Sequence, residues 1–175
     1  MAVVPVRAVS GRSSGSKYVG VSVDSRFPIV ELERLDNASC LGDGGFSSPH
    51  KAFHRGWGES VVFKRLLNRR TEKSEQQLLY SEARKLKLAS TSPYIISLLG
   101  VCLDPHFAIV MPYIENGSLA GLLQAVDVPW ALRWRMAHEI SLGMNFLHCQ
   151  NPQVLHCDLK AENVLLDDDF NVKVQ

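Results

Sequence analysis

The residues best suited to chemistry lie together in the segment His156-Cys157-Asp158-Leu159-Lys160-Ala161-Glu162-Asn163. Asp158 supplies a carboxylate that can accept a proton from a hydroxyl group. Asn163 supplies a neutral amide oxygen, a good ligand for a hard metal ion. A short loop before the apolar run Val164-Leu165-Leu166 could hold both side chains close together. Since Asp and Asn are also common turn residues, the alternative is an ordinary turn before a strand.

This segment resembles the protein-kinase catalytic loop, H-R-D-L-x-x-x-N, in its spacing and in its reactive positions. The resemblance implies that Asp158 accepts the substrate hydroxyl proton and that Asn163 holds Mg²⁺ on the phosphates of ATP. It also implies that Lys160 steadies the transferring phosphoryl group, as in serine/threonine kinases. Cys157 replaces the Arg that pairs with a phosphorylated activation loop in most kinases, which puts that mode of switching in doubt.

A glycine-rich stretch, Leu41-Gly42-Asp43-Gly44-Gly45-Phe46, resembles the loop that covers the nucleotide phosphates in kinases. Glycines allow backbone N–H groups to approach phosphate oxygens, although glycine clusters are more often simple turns. Ser47 replaces the third glycine of the pattern, and Pro49 replaces the Val that packs on adenine. We therefore expect a weaker grip on the nucleotide than in most kinases.

Val61-Val62-Phe63-Lys64 resembles the kinase strand that carries a phosphate-binding lysine. Alternation along a strand places Val62 and Lys64 on one face. Glu82 lies between Leu79 and Leu86 on the apolar side of a predicted helix, where a carboxylate is costly to bury without a cation. A Lys near a strand end is more often a solvated charge, but the resemblance implies that Lys64 and Glu82 pair and orient the phosphates.

The stretch from Phe107 to Leu119 resembles the strand and hinge between the two kinase lobes. By that resemblance Met111 gates a back pocket, and the Pro112 carbonyl and the Ile114 backbone bond the adenine edge. Pro is acceptable at residue 112 because only its carbonyl is needed. The implied nucleotide-binding residues are Leu41, Gly42, Gly44, Val62, Lys64, Met111, Pro112, Ile114 and Leu165.

Periodicity predicts the elements that must position these residues. Strands are predicted near residues 40–41, 51–53, 60–66, 95–99, 107–111, 164–166 and 172–174, and helices over residues 72–89, 118–125 and 129–148. The expected fold is α+β and kinase-like, with a complete N-lobe, a five-stranded antiparallel sheet plus one helix, and the first part of a helical C-lobe. The expected organisation is a flexible leader (1–30), the N-lobe (31–111), a hinge (112–117) and a partial C-lobe (118–175).

Composition agrees with a globular protein. Of the 175 residues, 46% are hydrophobic and 21% charged, and the formal net charge of +1 gives no overall attraction to nucleic acid. No apolar run approaches the roughly 18 residues that a membrane span needs. The four cysteines form no C-x-x-C pair, which favours reduced thiols and a cytoplasmic location.

Within the kinases, the chain resembles the receptor-interacting serine/threonine kinases, most closely the third or second member. The residues that carry this resemblance are Glu115-Asn116-Gly117-Ser118-Leu119, residues 138–148 and Gly44-Gly45-Phe46. The resemblance implies cytoplasmic signalling in innate immunity and programmed cell death (necroptosis). The implied partners are ATP, protein substrates and homotypic or related kinases.

After Val174 the family pattern continues with one small residue and D-F-G, whose Asp binds magnesium, whereas this chain ends at Gln175. Without that Asp and the activation loop, the chain alone is expected to transfer phosphate orders of magnitude more slowly. Two functions stay open. One is a serine/threonine kinase seen as an incomplete domain, and the other is a naturally truncated, inactive, pseudokinase-like interaction module.

Overall fold

A computed structural model describes residues 26–42, 47–66 and 72–175. The first group of elements comprises β1 (Leu35–Cys40), β2 (Ser47–His54), β3 (Glu59–Leu66), α1 (Glu72–Ala89), β4 (Gly100–Cys102) and β5 (Ala108–Pro112). The second comprises α2 (Leu119–Ala125), α3 (Trp130–His148), β6 (Val164–Leu166) and β7 (Val172–Val174). Single 3₁₀ turns precede β1 (Leu32–Arg34) and β6 (Ala161–Asn163).

The first five strands form one antiparallel sheet in the order β1-β2-β3-β5-β4. The side chains of β5 alternate between its two faces. Ile109 and Met111 belong to the hydrophobic cluster that includes α1, whereas Ala108 and Val110 belong to the cluster on the opposite face. The predicted α+β fold, a five-stranded antiparallel sheet with one helix followed by a partial helical lobe, is confirmed.

Helix α1 has the bounds that its periodicity predicts. Leu79 and Ala83 are fully buried against the sheet, and Leu86 is half-buried beside them. Burying a leucine side chain such as Leu79 contributes about 2 kcal/mol. The apolar stripe therefore fixes which side of α1 faces the sheet.

The predicted leader boundary after residue 30 is wrong for residues 27–30. Phe27 and Val30 are buried, and Val30 N–H donates to the Val101 carbonyl at 2.9 Å, beside β4. Gly100 allows this close approach, because a Cβ there would lie 2.7 Å from the Pro28 carbonyl oxygen. Pro28 interrupts any strand-like alternation, so the sequence pattern does not reveal the segment. Residues 1–25 of the predicted leader lie outside the described residues.

The strand predicted at residues 95–99 is also wrong, because β4 begins at Gly100. The backbone before it bonds elsewhere: Ile96 N–H donates to the Val174 carbonyl at 2.9 Å, and Leu98 N–H donates to Ser90 Oγ at 2.8 Å. Ile95 and Ile96 are buried, although this run does not form a strand of the sheet.

The second group follows its predictions closely. Ser118 caps α2, since its Oγ accepts a hydrogen bond from Gly121 N–H at 3.2 Å. Helix α3 follows Pro129 and buries Met136 and Leu147 in a hydrophobic cluster with residues of β6 and β7. Strands β6 and β7 form the predicted antiparallel hairpin.

Two stretches connect the groups. In the first, residues 112–117, Gly117 adopts a φ of 68°, which favours glycine, and its carbonyl accepts from Leu166 N–H at 3.0 Å. The second stretch is residues 94–96, between α1 and β4. Val174 N–H donates to the Tyr94 carbonyl at 2.8 Å, so this stretch is bonded to β7. Both stretches tie the sheet to the β6–β7 hairpin.

Across the three described ranges, no helix combines the length and the apolar character that crossing a membrane requires.

Candidate functional site

A cavity of about 800 Å³ lies between the five-stranded sheet and the β6–β7 hairpin. The residues just after β1, the strands β2, β3 and β5, the 112–117 linker and the loop before β6 all contribute to its walls. The predicted nucleotide-binding residues that line it are Leu41, Gly42, Val62, Lys64, Met111, Pro112, Ile114 and Leu165. Gly44, the remaining predicted one, lies outside the described residues. Residues far apart in the sequence thus meet at one cavity.

A smaller cavity of about 350 Å³ adjoins the first and extends toward α1. Glu82, Lys85 and Leu86 of α1 line only this smaller cavity. Five residues line both cavities: Lys64, Met111, Asp158, Asn163 and Gln175. Asp158 and Asn163 therefore lie at the junction of the two spaces.

The side chain of Asp158 is 64% exposed and is held by two neighbours. Lys160 Nζ lies 3.1 Å from its Oδ2, and Asn163 Nδ2 donates to the same oxygen at 2.8 Å. The hydrogen bond from Lys160, followed by that from Asn163, holds the pKa of Asp158 below its ordinary value. Because both contacts fall on Oδ2, Oδ1 is the oxygen that an incoming hydroxyl can reach.

His156 fixes the backbone around this carboxylate. Its Nδ1 accepts from Asp158 N–H at 3.3 Å, so Nε2 carries the proton of the neutral ring and donates to the Gln175 carbonyl at 2.9 Å. Gln175 N–H in turn donates to the Asn163 carbonyl at 2.8 Å. Cys157, between His156 and Asp158 in the sequence, has a φ of 65°, a left-handed conformation that is strained for a residue with a side chain. The hydrogen bonds among His156, Asp158, Asn163 and Gln175 therefore hold a strained loop in place.

Lys64 and Glu82 are both half-buried and line the smaller cavity. Among the residues that the structure describes, no ion pair joins them. The predicted pair is therefore not formed here, and its part in orienting phosphates stays a prediction. Alternation and helical periodicity predict the facing surfaces but not the final distance between two flexible side chains.

Residues 35–175 match the protein kinase domain. The chain belongs to the protein kinase family. Protein kinases use ATP and a divalent metal ion as general requirements.

Curated relatives of this kinase chain include receptor-interacting serine/threonine-protein kinases. It is 40% identical over 134 residues to the fourth such kinase of Mus musculus, covering 77% of this chain and 17% of that protein. It is 40% identical over 158 residues to the second of Bos taurus, covering 87% and 29%. It is 40% identical over 148 residues to the third of Homo sapiens, covering 84% and 28%. The predicted resemblance is confirmed, and the chain spans less than a third of the length of these relatives.

The residues of the kinase site fit a divalent metal ion bound with a nucleotide. Asn163 Nδ2 donates to both the Asp158 carbonyl and Asp158 Oδ2, each at 2.8 Å, which leaves the amide oxygen as a ligand. No cluster of three or more His, Cys, Asp or Glu side chains occurs in the described part of the chain. With a divalent ion bound, Asn163 would hold it through this amide oxygen.

Several residues that line the cavities of this kinase are absent from the site that the sequence predicts. They are Pro49, Ile96, Tyr113, Gly117, Ser118, His156, Glu162 and Gln175. His156 opens the recognised motif, so its spacing from Asp158 is a signal that could have identified it. Tyr113 lies between Pro112 and Ile114, which were predicted. Ile96 lines a cavity beside its bond to Val174, and Gln175 lines both beside its bonds to His156 and Asn163; the sequence shows none of these bonds.

Proposed function

We propose that this chain carries the nucleotide-binding and proton-accepting parts of a serine/threonine kinase, which transfers the γ-phosphate of ATP to protein hydroxyl groups. The observation that carries the proposal is Asp158 at the junction of the two cavities, with Lys160 and Asn163 on its Oδ2. This arrangement leaves Oδ1 for the substrate hydroxyl and keeps the carboxylate ionised at neutral pH.

Each side chain has a separate part in the proposed reaction. Asp158 orients the attacking hydroxyl and accepts its proton, while Lys160 stands 3.1 Å from that carboxylate, where it can also meet the transferring phosphoryl group. Lys64 lines both cavities and would bind the phosphates. Asn163 would hold Mg²⁺, which neutralises phosphate charge when bound. The apolar walls at Val62, Met111 and Leu165 would enclose the adenine.

A second function, nucleotide binding without turnover, is favoured by one observation. Lys64 and Glu82 lie at the same cavity without an ion pair among the described residues, and kinases need that pair for transfer. Ser47 and Pro49 in the glycine-rich stretch point the same way. On this second proposal the chain acts as an interaction module.

One experiment separates the two proposals. The chain is saturated with Mg²⁺ and γ-³²P-labelled ATP, and label on a general acceptor protein is followed over long incubations, because slow transfer is expected. Asp158→Asn is the test variant, and Asp127→Asn is its matched control, since the Asp127 side chain is 99% exposed and pairs only with Arg133 at 2.9 Å among the described residues. Loss of a general base lowers transfer by about 10²–10⁴-fold.

We expect transfer that Asp158→Asn reduces by that amount and Asp127→Asn leaves unchanged. Equal transfer by the wild type and Asp158→Asn would remove Asp158 from the mechanism. ATP binding without transfer would favour the interaction module. Failure of the wild type to bind ATP at all would refute both proposals.

We further propose a place in cytoplasmic signalling in innate immunity and programmed cell death, with related kinases as partners. What supports this is the likeness to receptor-interacting serine/threonine-protein kinases alone. Fractionation of expressing cells, followed by immunoprecipitation with each related kinase, tests it. Recovery outside the cytoplasm and without any of those kinases would contradict it.

A further inference from the structure

One side chain of β2 reaches from the sheet to the linker. Lys51 Nζ lies 3.6 Å from the centre of the Tyr113 ring and 3.6 Å from Glu115 Oε1. We call this group of Lys51, Tyr113 and Glu115 the rim tie. It joins β2 to residues 113–115 of the linker, of which Tyr113 and Ile114 line the large cavity.

The rim tie lies on the cavity side of the sheet. Lys51 is two residues after Pro49, which lines the cavity, and its partner across β2 and β3 is Val62, which also lines it. Strand residues two apart and directly paired residues share a face. Lys51 itself is not part of the cavity wall, whereas Tyr113 is. The ammonium group therefore lies at the rim, outside the space a ligand would occupy.

We propose that Lys51 is a positioning residue for nucleotide binding. The rim tie holds the part of the cavity wall that β1 and β2 carry, which we call the roof, at the distance from the linker that a bound adenine requires. This inference rests on the proposed nucleotide site. Leu41, Gly42 and Pro49 are the lining residues of the roof, and Tyr113 is a lining residue of the linker. Any opening of the roof away from the linker must break the contact between Lys51 and Tyr113.

The strength of the rim tie comes from its two partners. The Lys51 side chain is only 32% exposed, so its charge is partly shielded from water, whereas Glu115 is 61% exposed and contributes less. A cation over an aromatic ring in such a setting changes an equilibrium by about three- to tenfold. Preorganising a site mainly slows ligand release. We therefore expect loss of the rim tie to speed nucleotide dissociation by about that factor.

There are two alternatives: Lys51 attracts the phosphates directly, or it only stabilises the sheet. Binding of adenosine tests the first alternative, because adenosine is uncharged, carries no phosphate and would occupy the adenine part of the site alone. Arg55→Met controls for the second. Arg55 belongs to the same hairpin and pairs with Asp36 at 3.3 Å, but it makes no contact with the linker among the described residues.

The experiment measures adenosine and Mg²⁺-ATP binding by the chain, with dissociation rates, for the wild type, Lys51→Met, Glu115→Gln, the double variant and Arg55→Met. Urea unfolding of each variant is measured in parallel. We expect Lys51→Met to weaken adenosine and ATP by about the same three- to tenfold. Glu115→Gln should weaken both less, and the double variant should resemble Lys51→Met, because the two changes remove one shared interaction. Arg55→Met should bind like the wild type.

Three results would overturn the inference alone. These are wild-type adenosine affinity in Lys51→Met, weakened binding of ATP but not of adenosine, and equal losses in Lys51→Met and Arg55→Met that follow their losses in stability. A wild type that binds neither adenosine nor ATP would overturn the proposed nucleotide site, and the inference with it.

Discussion

Replacing Glu139 by alanine tests how α3 holds the β6–β7 hairpin, which follows the loop of Asp158 and Asn163. The Glu139 side chain is 11% exposed, and its Oε2 accepts the backbone N–H of buried Val172 at 2.8 Å. Arg135 lies 3.8 Å from Oε1 and also donates to the Asp169 and Phe170 carbonyls. Alanine would leave the Val172 N–H buried without an acceptor.

The expected cost follows from these contacts. A hydrogen bond to a charged group contributes about 1.5–3 kcal/mol, and leaving a buried donor unpaired costs about 1–3 kcal/mol. Since these describe largely the same loss, we expect Glu139→Ala to lower the free energy of unfolding by about 3 kcal/mol. Glu139→Gln keeps an acceptor oxygen and loses only the charge, so we expect about 1 kcal/mol.

Urea unfolding followed by fluorescence measures these changes, and exchange of the Val172 amide hydrogen reports the local contact. Glu31→Ala is the control, because that side chain is 56% exposed and pairs with Arg34 at 2.9 Å on the surface, where such pairs contribute about 0–1 kcal/mol. A Glu139→Ala variant no less stable than Glu31→Ala, with the Val172 amide still protected, would refute the reasoning.

Two pH-linked predictions concern side chains outside the site. Burial, and then the charge of Arg34, lowers the pKa of His54 below 6.5, so folding disfavours its protonated form and stability should fall as pH drops below that value. Urea midpoints at about pH 7.5 and about pH 5.5 should differ less in His54→Gln than in the wild type, and equal differences would contradict this. Burial raises the pKa of Cys102 to about 12, so at about pH 8 iodoacetamide should modify the three exposed cysteines in the native chain and Cys102 only after unfolding. Mass spectrometry reads the sites, and early modification of Cys102 would show that its burial is incomplete.

The parts of the fold that follow local pattern could be predicted. Helix α1 has its predicted bounds because Leu79 and Ala83 repeat at helical spacing and Ser92-Pro93 ends the pattern. The β6–β7 hairpin could be predicted for a similar reason, since two short apolar runs flank an Asp-rich turn. In these segments the local pattern and the final packing agree.

Segments whose partners are distant in the sequence could not be predicted. Residues 95–98 are as apolar as a strand, but their hydrogen bonds go to Val174 and to Ser90 Oγ. Val30 joins the fold through β4, which begins about 70 residues later in the chain, and Phe27 stacks on Tyr80 of α1. Nothing local to either segment indicates those partners.

The candidate site divides in the same way. Asp158, Lys160 and Asn163 lie within six residues, so their contact follows from one short motif. Lys64 and Glu82 come from a strand and a helix, and their separation depends on how far α1 lies from the sheet, which no residue pattern determines. Lys51 was not predicted because its partners, Tyr113 and Glu115, are more than 60 residues away.

The bonding of residues 94–96 to β7 restricts how the two groups of elements can move. Tyr94 and Ile96 both bond Val174, and Gly143 of α3 packs so closely there that a Cβ would lie 3.2 Å from Tyr94 Cβ. Residues 94–96 therefore attach the first group to β7 by backbone hydrogen bonds, in addition to the chain connection through residues 112–117. These two attachments define an axis, and a rotation of the sheet about that axis would leave both attachments intact. Twisting or sliding of one group against the other would have to break backbone hydrogen bonds at one of the two attachments.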